Sequence, residues 1–163
     1  MKRLLRALAA ILALPVVVTV GVPALLLAGR SAPPAGVLAR GLGLLLGGAG
    51  LVLAGWTVSL FFSVGHGTLA PWDPPRRLVV RGPYQHVRNP MITGVLAILL
   101  GEAAWFWSPA VLAWAGVFLL INAVYLPVVE EPSLSARFGA DYAEYCGHVP
   151  RWLPRWSAWK PKA

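Results

Sequence analysis

Arg88, Asn89 and Pro90 stand directly ahead of one apolar run, and Glu130 and Glu131 stand directly behind another. Asn is a favoured helix N-cap and Pro is favoured at the first helical position, so "RNP" predicts an exposed helix start. Such an end presents free backbone N–H groups and positive potential, a seat for an anion that Arg88 reinforces. Two adjacent carboxylates at a membrane boundary are costly unless they meet a cation. Brought together, the two features match a zwitterionic amino-acid head, with its carboxylate on one side and its ammonium on the other. The plainer use of the same residues is an ion pair between a glutamate and Arg76, Arg77 or Arg88, beside a well-capped helix.

The elements that must position these groups are apolar. Ala7 to Gly29 and Gly41 to Val64 carry no charge, Met91 to Trp107 carries only Glu102, and Ala110 to Val129 carries none. A bilayer core needs about 20 apolar residues per helical span, so the fold class expected is an all-α integral membrane protein with four transmembrane helices. Only Ser108 and Pro109 join the last two, which predicts a tight hairpin. The start of span three and the end of span four then lie at one level. The first run follows Lys2, Arg3 and Arg6 and is longer than a signal-peptide core, so an uncleaved anchor is expected.

The chain has 14 Lys and Arg against 6 Asp and Glu, a net charge of +8. Their placement argues against a nucleic-acid partner. The N-terminus, the 66–90 loop and the tail hold all but Arg30 and Arg40, a strong positive-inside bias. Both termini and that loop are therefore expected on the cytoplasmic side (the inner membrane, if bacterial), against anionic membrane lipids. The single cysteine, Cys146, excludes an internal disulfide and a Cys-based metal cluster, and it reads as a packing residue. Gly41, Gly43, Gly47, Gly48 and Gly50 suit close helix packing in lipid. Trp105 and Trp107 fall at the outer boundary, and Glu102 lies near it in a structural role.

In the loop, Gly65, Gly67, Pro71, Pro74 and Pro75 forbid a continuous helix. "RLVV" followed by "RGPY" predicts a short extended segment and a turn. After span four, Leu134, Phe138, Tyr142 and Tyr145 recur at helical spacing, predicting an amphipathic helix over 131–146. Trp152, Trp156 and Trp159 follow among basic residues, as in a tail lying along the bilayer surface. Residues 1–64 thus form two N-terminal spans, and 65–163 form the loop, spans three and four, the C-terminal helix and the tail.

The ordered pair "GTLAPWDPPRRLVVRGPYQHVRNPMITG" and "EEPSLSARFGADYAEYCGHVPRW" resembles the isoprenylcysteine carboxyl methyltransferase family, within the wider group that includes phospholipid N-methyltransferases. The likeness covers roughly residues 65 to 156. It implies an integral membrane methyltransferase that uses S-adenosylmethionine, needs no metal and acts on a lipophilic methyl acceptor. By resemblance, Leu78, Val79 and Tyr84 line the cofactor pocket, Arg88-Asn89-Pro90 opens the next helix against it, and Glu130 reaches the cofactor with Glu131 beside it. The family's usual His is Asn89 here, and Leu126 stands where the eukaryotic prenylcysteine branch has a substrate-binding arginine. An amine, thiol or other carboxylate on a lipid-like molecule therefore stays open as acceptor. So do a phospholipid or small-molecule N- or S-methyltransferase, and a catalytically silent membrane accessory of the same fold. No catalytic residue is assigned; His86 and His148 are candidate bases or polar contacts.

Overall fold

The computed structural model describes residues 15–29, 35–65 and 76–161. The first third of the expected span one with its leading charges, most of the outer loop before Val37, and the proline-rich stretch 66–75 lie outside them. The regular elements among the described residues are all helical, with no strand among them. In order they form α1 (Val17–Leu27), α2 (Val37–Ser63), a 3-10 turn (Gly82–Gln85), α3 (Pro90–Trp105), α4 (Pro109–Tyr125) and α5 (Glu131–His148). A π-turn, Leu126–Glu130, joins α4 to α5 without a break. Two helices are long and apolar enough to cross a membrane, Val37–Ser63 and the continuous Pro109–His148, while Val17–Leu27 and Pro90–Trp105 are shorter apolar helices.

The π-turns have a common cause. Pro127 lies inside Leu126–Glu130, and Pro23 stands two residues past the end of Val17–Gly21 as α1 continues. A proline removes an N–H and crowds the carbonyl four residues back; a wider turn relieves both.

Helices α2 and α3 run antiparallel with their backbones in contact, because the seam is made of glycine. A Cβ on Gly43 would stand 2.7 Å from Gly101 O, and one on Gly50 would stand 2.6 Å from Gly94 O. Gly41 and Gly48 face open space, so only part of the glycine run serves this contact. On its other side α3 buries Val95 and Leu99 against Ala115 of α4. Trp114 donates its indole N–H to Val18 O of α1 at 3.0 Å.

The hairpin expected between spans three and four is present, and its turn is a Schellman motif. Trp107 N–H bonds Ala104 O and Ser108 N–H bonds Ala103 O, with Trp107 at φ 48°. That left-handed position usually falls to glycine; a tryptophan there costs about 1 kcal/mol. Trp105 and Trp107 are both exposed at this end. Ser108 then caps α4, accepting from Val111 N–H, with Pro109 at the first helical position. Ser108→Ala is expected to cost about 1 kcal/mol, read as a lower thermal midpoint with the helical circular-dichroism signal unchanged.

Helix α5 departs from the expected continuous amphipathic helix. Gly139 adopts φ 52°, ψ −124° inside it, so the segment is two short helices meeting at a kink. The second buries Tyr142 and Tyr145, with Val149 beyond them, against Leu78, Val80 and Trp159. This is how the tail and the 78–80 segment are held to each other.

Candidate functional site

The turn 82–88 is stitched to the tail. Arg88 N–H donates to Pro150 O at 2.9 Å, Arg155 N–H to His86 O at 3.0 Å, and Trp159 N–H to Gln85 O at 3.0 Å. Tyr145 donates its hydroxyl to Tyr84 O at 2.8 Å. His86 Nδ1 meets Arg155 O at 2.9 Å; since a carbonyl only accepts, that nitrogen carries the proton. The tail thus crosses over the start of α3 as a strap.

Asn89 and Pro90 hold the N-cap and first helical positions of α3, as expected, and Pro90 is fully buried. The cap differs from expectation. The Asn89 side chain makes no capping bond; its amide donates instead to Arg151 O of the strap at 3.4 Å. The strap competes successfully for the carboxamide.

Arg88 and Glu131 join the beginning of α3 to the end of the α4 helix, with Arg88 Nη1 3.0 Å from Glu131 Oε1. Arg151 takes both oxygens of Glu131 through Nε and Nη2, each at 2.8 Å, in the fork geometry that makes arginine–carboxylate pairs strong. These bonds hold the Arg151 guanidinium above its ordinary pKa. Arg88 Nη1 also meets Cys146 Sγ at 2.9 Å. Its Nε is buried and has no hydrogen-bond partner.

Glu130 behaves differently from its neighbour. Adjacent helical residues point about 100° apart, so Glu131 faces the strap while Glu130 does not. Glu130 makes no ion pair among the described residues. Burial first, and repulsion from Glu131 second, push its carboxyl above the usual carboxylate range. Tyr84 senses it. Burial chiefly, then Tyr145 and Glu130, push the Tyr84 phenol up, and burial is the leading cause of the same shift at Tyr142 and Tyr145. All three phenols stay protonated at neutral pH.

Of the sequence-derived residues, Arg88, Asn89, Pro90 and Glu131 come together through the strap, and Tyr84 lies within the electrostatic reach of Glu130. Val79 is buried, and Leu78 packs on Tyr142, Tyr145 and Val149. His148 instead stacks on Trp159 and bonds Glu144 O. A cleft of about 370 Å³ lined by Trp56, His86, Pro90, Thr93 and Trp152, among others, shares Pro90 with the cluster but neither Arg88 nor the glutamates. Sequence reasoning missed Arg151 and Tyr145 as members. Arg151 follows "HVP" in the tail, and only an unpaired Glu131 could have hinted at its use.

The site is thus a partly buried ion cluster joining the start of α3, the start of α5 and the tail. The phospholipid methyltransferase family model matches residues 38–141, more than half of the chain, and the chain belongs to that family. It is also similar to methanethiol S-methyltransferase 2 of Bradyrhizobium diazoefficiens, 38% identical over 76 residues that make up 44% of this chain. The match spans only 27% of that relative's length. No solved structure matches the chain.

Proposed function

We propose that the protein is a multi-pass membrane methyltransferase that transfers the methyl group of S-adenosylmethionine to a lipophilic acceptor. The observation that carries this reading is one asymmetry within the cluster. Arg88 Nε is buried without a partner, and half-buried Glu130 makes no ion pair among the described residues while Glu131 is doubly paired. A donor left over beside an acceptor left over fits the head of a methionine, carboxylate to Arg88 Nε and ammonium to Glu130. Asn89 and Pro90 shape the helix start beside it, and Leu78, Val79 and Tyr84 form the apolar wall. When bound, S-adenosylmethionine supplies a sulfonium-activated methyl group. The chain's residues then have to orient it, exclude water and align the acceptor.

The four apolar segments are read as four spans, with both termini and the basic 66–90 loop cytoplasmic, supported by the charge distribution. A second reading takes a small thiol as acceptor, favoured by the named activity of the Bradyrhizobium relative. Leu126, buried where the prenylcysteine branch has arginine, supports either reading over a free carboxylate acceptor.

The test is cofactor binding to purified protein in micelles, followed by transfer of labelled methyl to a membrane lipid extract and, separately, to small thiols. Glu130→Gln is expected to weaken S-adenosylmethionine about tenfold to a hundredfold, since a charge-assisted hydrogen bond contributes about 1.5–3 kcal/mol. The sign of the pH dependence follows from the raised Glu130 pKa. An ammonium favours the ionised carboxylate, so affinity is full above the free-site pKa and falls as pH drops through it. That decline begins at higher pH than an ordinary glutamate would produce. Glu130→Gln should be flat through the same window, and wild-type protein without this pH dependence would remove Glu130 from the ammonium role.

A further inference from the structure

Arg151 reaches the cluster from the tail, yet it is the most fully engaged partner of Glu131. Its Nε and Nη2 hold both carboxylate oxygens at 2.8 Å, and Arg88 shares Oε1 at 3.0 Å. The residue is itself fixed in place. Pro150 O just before it accepts from Arg88 N–H at 2.9 Å, and Arg151 O accepts from the Asn89 amide at 3.4 Å. Arg88 is thereby held through Nη1 alone, with Nε buried and unpartnered.

The bidentate pair decides what Arg88 can do. A guanidinium fork and a carboxylate pair best through two parallel bonds. With both Glu131 oxygens already committed to Arg151, Arg88 is restricted to a one-point contact. Without Arg151, Glu131 would be free to take the Arg88 fork, Nε included, and the anion seat would be filled from within the chain. Glu131 would also be left with charge to compete with Glu130 for a ligand ammonium.

We propose that Arg151 is a positioning residue of the cofactor grip: by saturating Glu131 it keeps Arg88 Nε available to a ligand carboxylate and leaves Glu130 as the ammonium partner. This rests on the reading of the cluster as a site for S-adenosylmethionine. The role concerns the amino-acid head and leaves the adenosine half untouched, which separates it from a general loss of structure.

The experiment compares two probes on the full chain in micelles, S-adenosylmethionine and 5′-methylthioadenosine, which lacks the amino-acid head. Arg151→Gln is expected to weaken S-adenosylmethionine about tenfold and to change methylthioadenosine less than about twofold. Arg151→Lys, which keeps the charge but lacks the fork, should recover part of the loss, and it carries the test if the Gln variant fails to fold. Arg155→Gln removes another strap arginine, one bonded to His148 O and Ser157, and should leave both affinities near wild type. Equal losses for the two probes, no loss for either, or a loss in Arg155→Gln matching that of Arg151→Gln would each overturn the proposal. Wild-type protein that binds methylthioadenosine as tightly as S-adenosylmethionine would instead refute the underlying grip on the amino-acid head.

Discussion

Gly101→Leu is expected to prevent α2 and α3 from assembling. A Cβ at this position would lie 2.5 Å from Gly47 N and 2.8 Å from Gly43 O and Gly47 Cα. All three are backbone atoms, which cannot swing aside as a side chain can. Overpacking a core costs about 1–3 kcal/mol and sometimes more, and leucine adds three further carbons beyond the clash. A loss of about 3 kcal/mol or more is expected, a large fraction of the stability of a small domain. The helices meet through backbone packing, and lipid offers leucine no reason to hold them together. The measurement is recovery of monodisperse protein from detergent extracts and the thermal midpoint of what remains. Gly48→Leu is the matched control: a Cβ there meets nothing within 4 Å, so its yield should equal that of wild type.

Arg88→Met is expected to lower S-adenosylmethionine affinity by a hundredfold or more. The arginine side chain is only 13% exposed and touches Glu131 and Cys146 through Nη1, with Nε buried and unpartnered. Its removal takes away both the hydrogen bond and the positive charge facing a carboxylate, each strengthened by partial burial. Glu131 keeps Arg151, so the fold should lose only about 2 kcal/mol. Calorimetric titration, with tryptophan fluorescence to follow folding, separates the two effects. An unchanged affinity in folded Arg88→Met would remove the anion seat from Arg88.

Much of the fold could be read from the chain. The apolar runs located the helices, the two-residue link located the hairpin, and Asn89-Pro90 located the start of α3, because each rests on local physics. The meeting of Arg88 with Glu131 was also legible, as the plainer ion pair open to these residues, since a hairpin returns its ends to one level. What stayed hidden depended on tertiary competition. Asn89 has the composition of a cap but bonds the strap, and the outcome depends on where Arg151 O falls. The division of labour between Glu130 and Glu131 could not be read either, because it is set by a helix phase that composition does not encode. Gly139 was visible as a residue within a helical pattern, but its positive φ was not. Leu134, Phe138, Tyr142 and Tyr145 keep their spacing across the kink, which masks it.

The widened turn at Leu126–Glu130 has a bearing on that phase. A π-turn takes up about one residue more than the α-turn it replaces, so everything beyond it lags by roughly 100° of rotation. Glu131 therefore occupies the azimuth that an uninterrupted helix would have given to Glu130. Of two chemically identical side chains, the second has been turned to the compass heading of the first by one imino acid, Pro127. In a pair spelled by the same letter twice, it is the upstream proline that tells the first from the second.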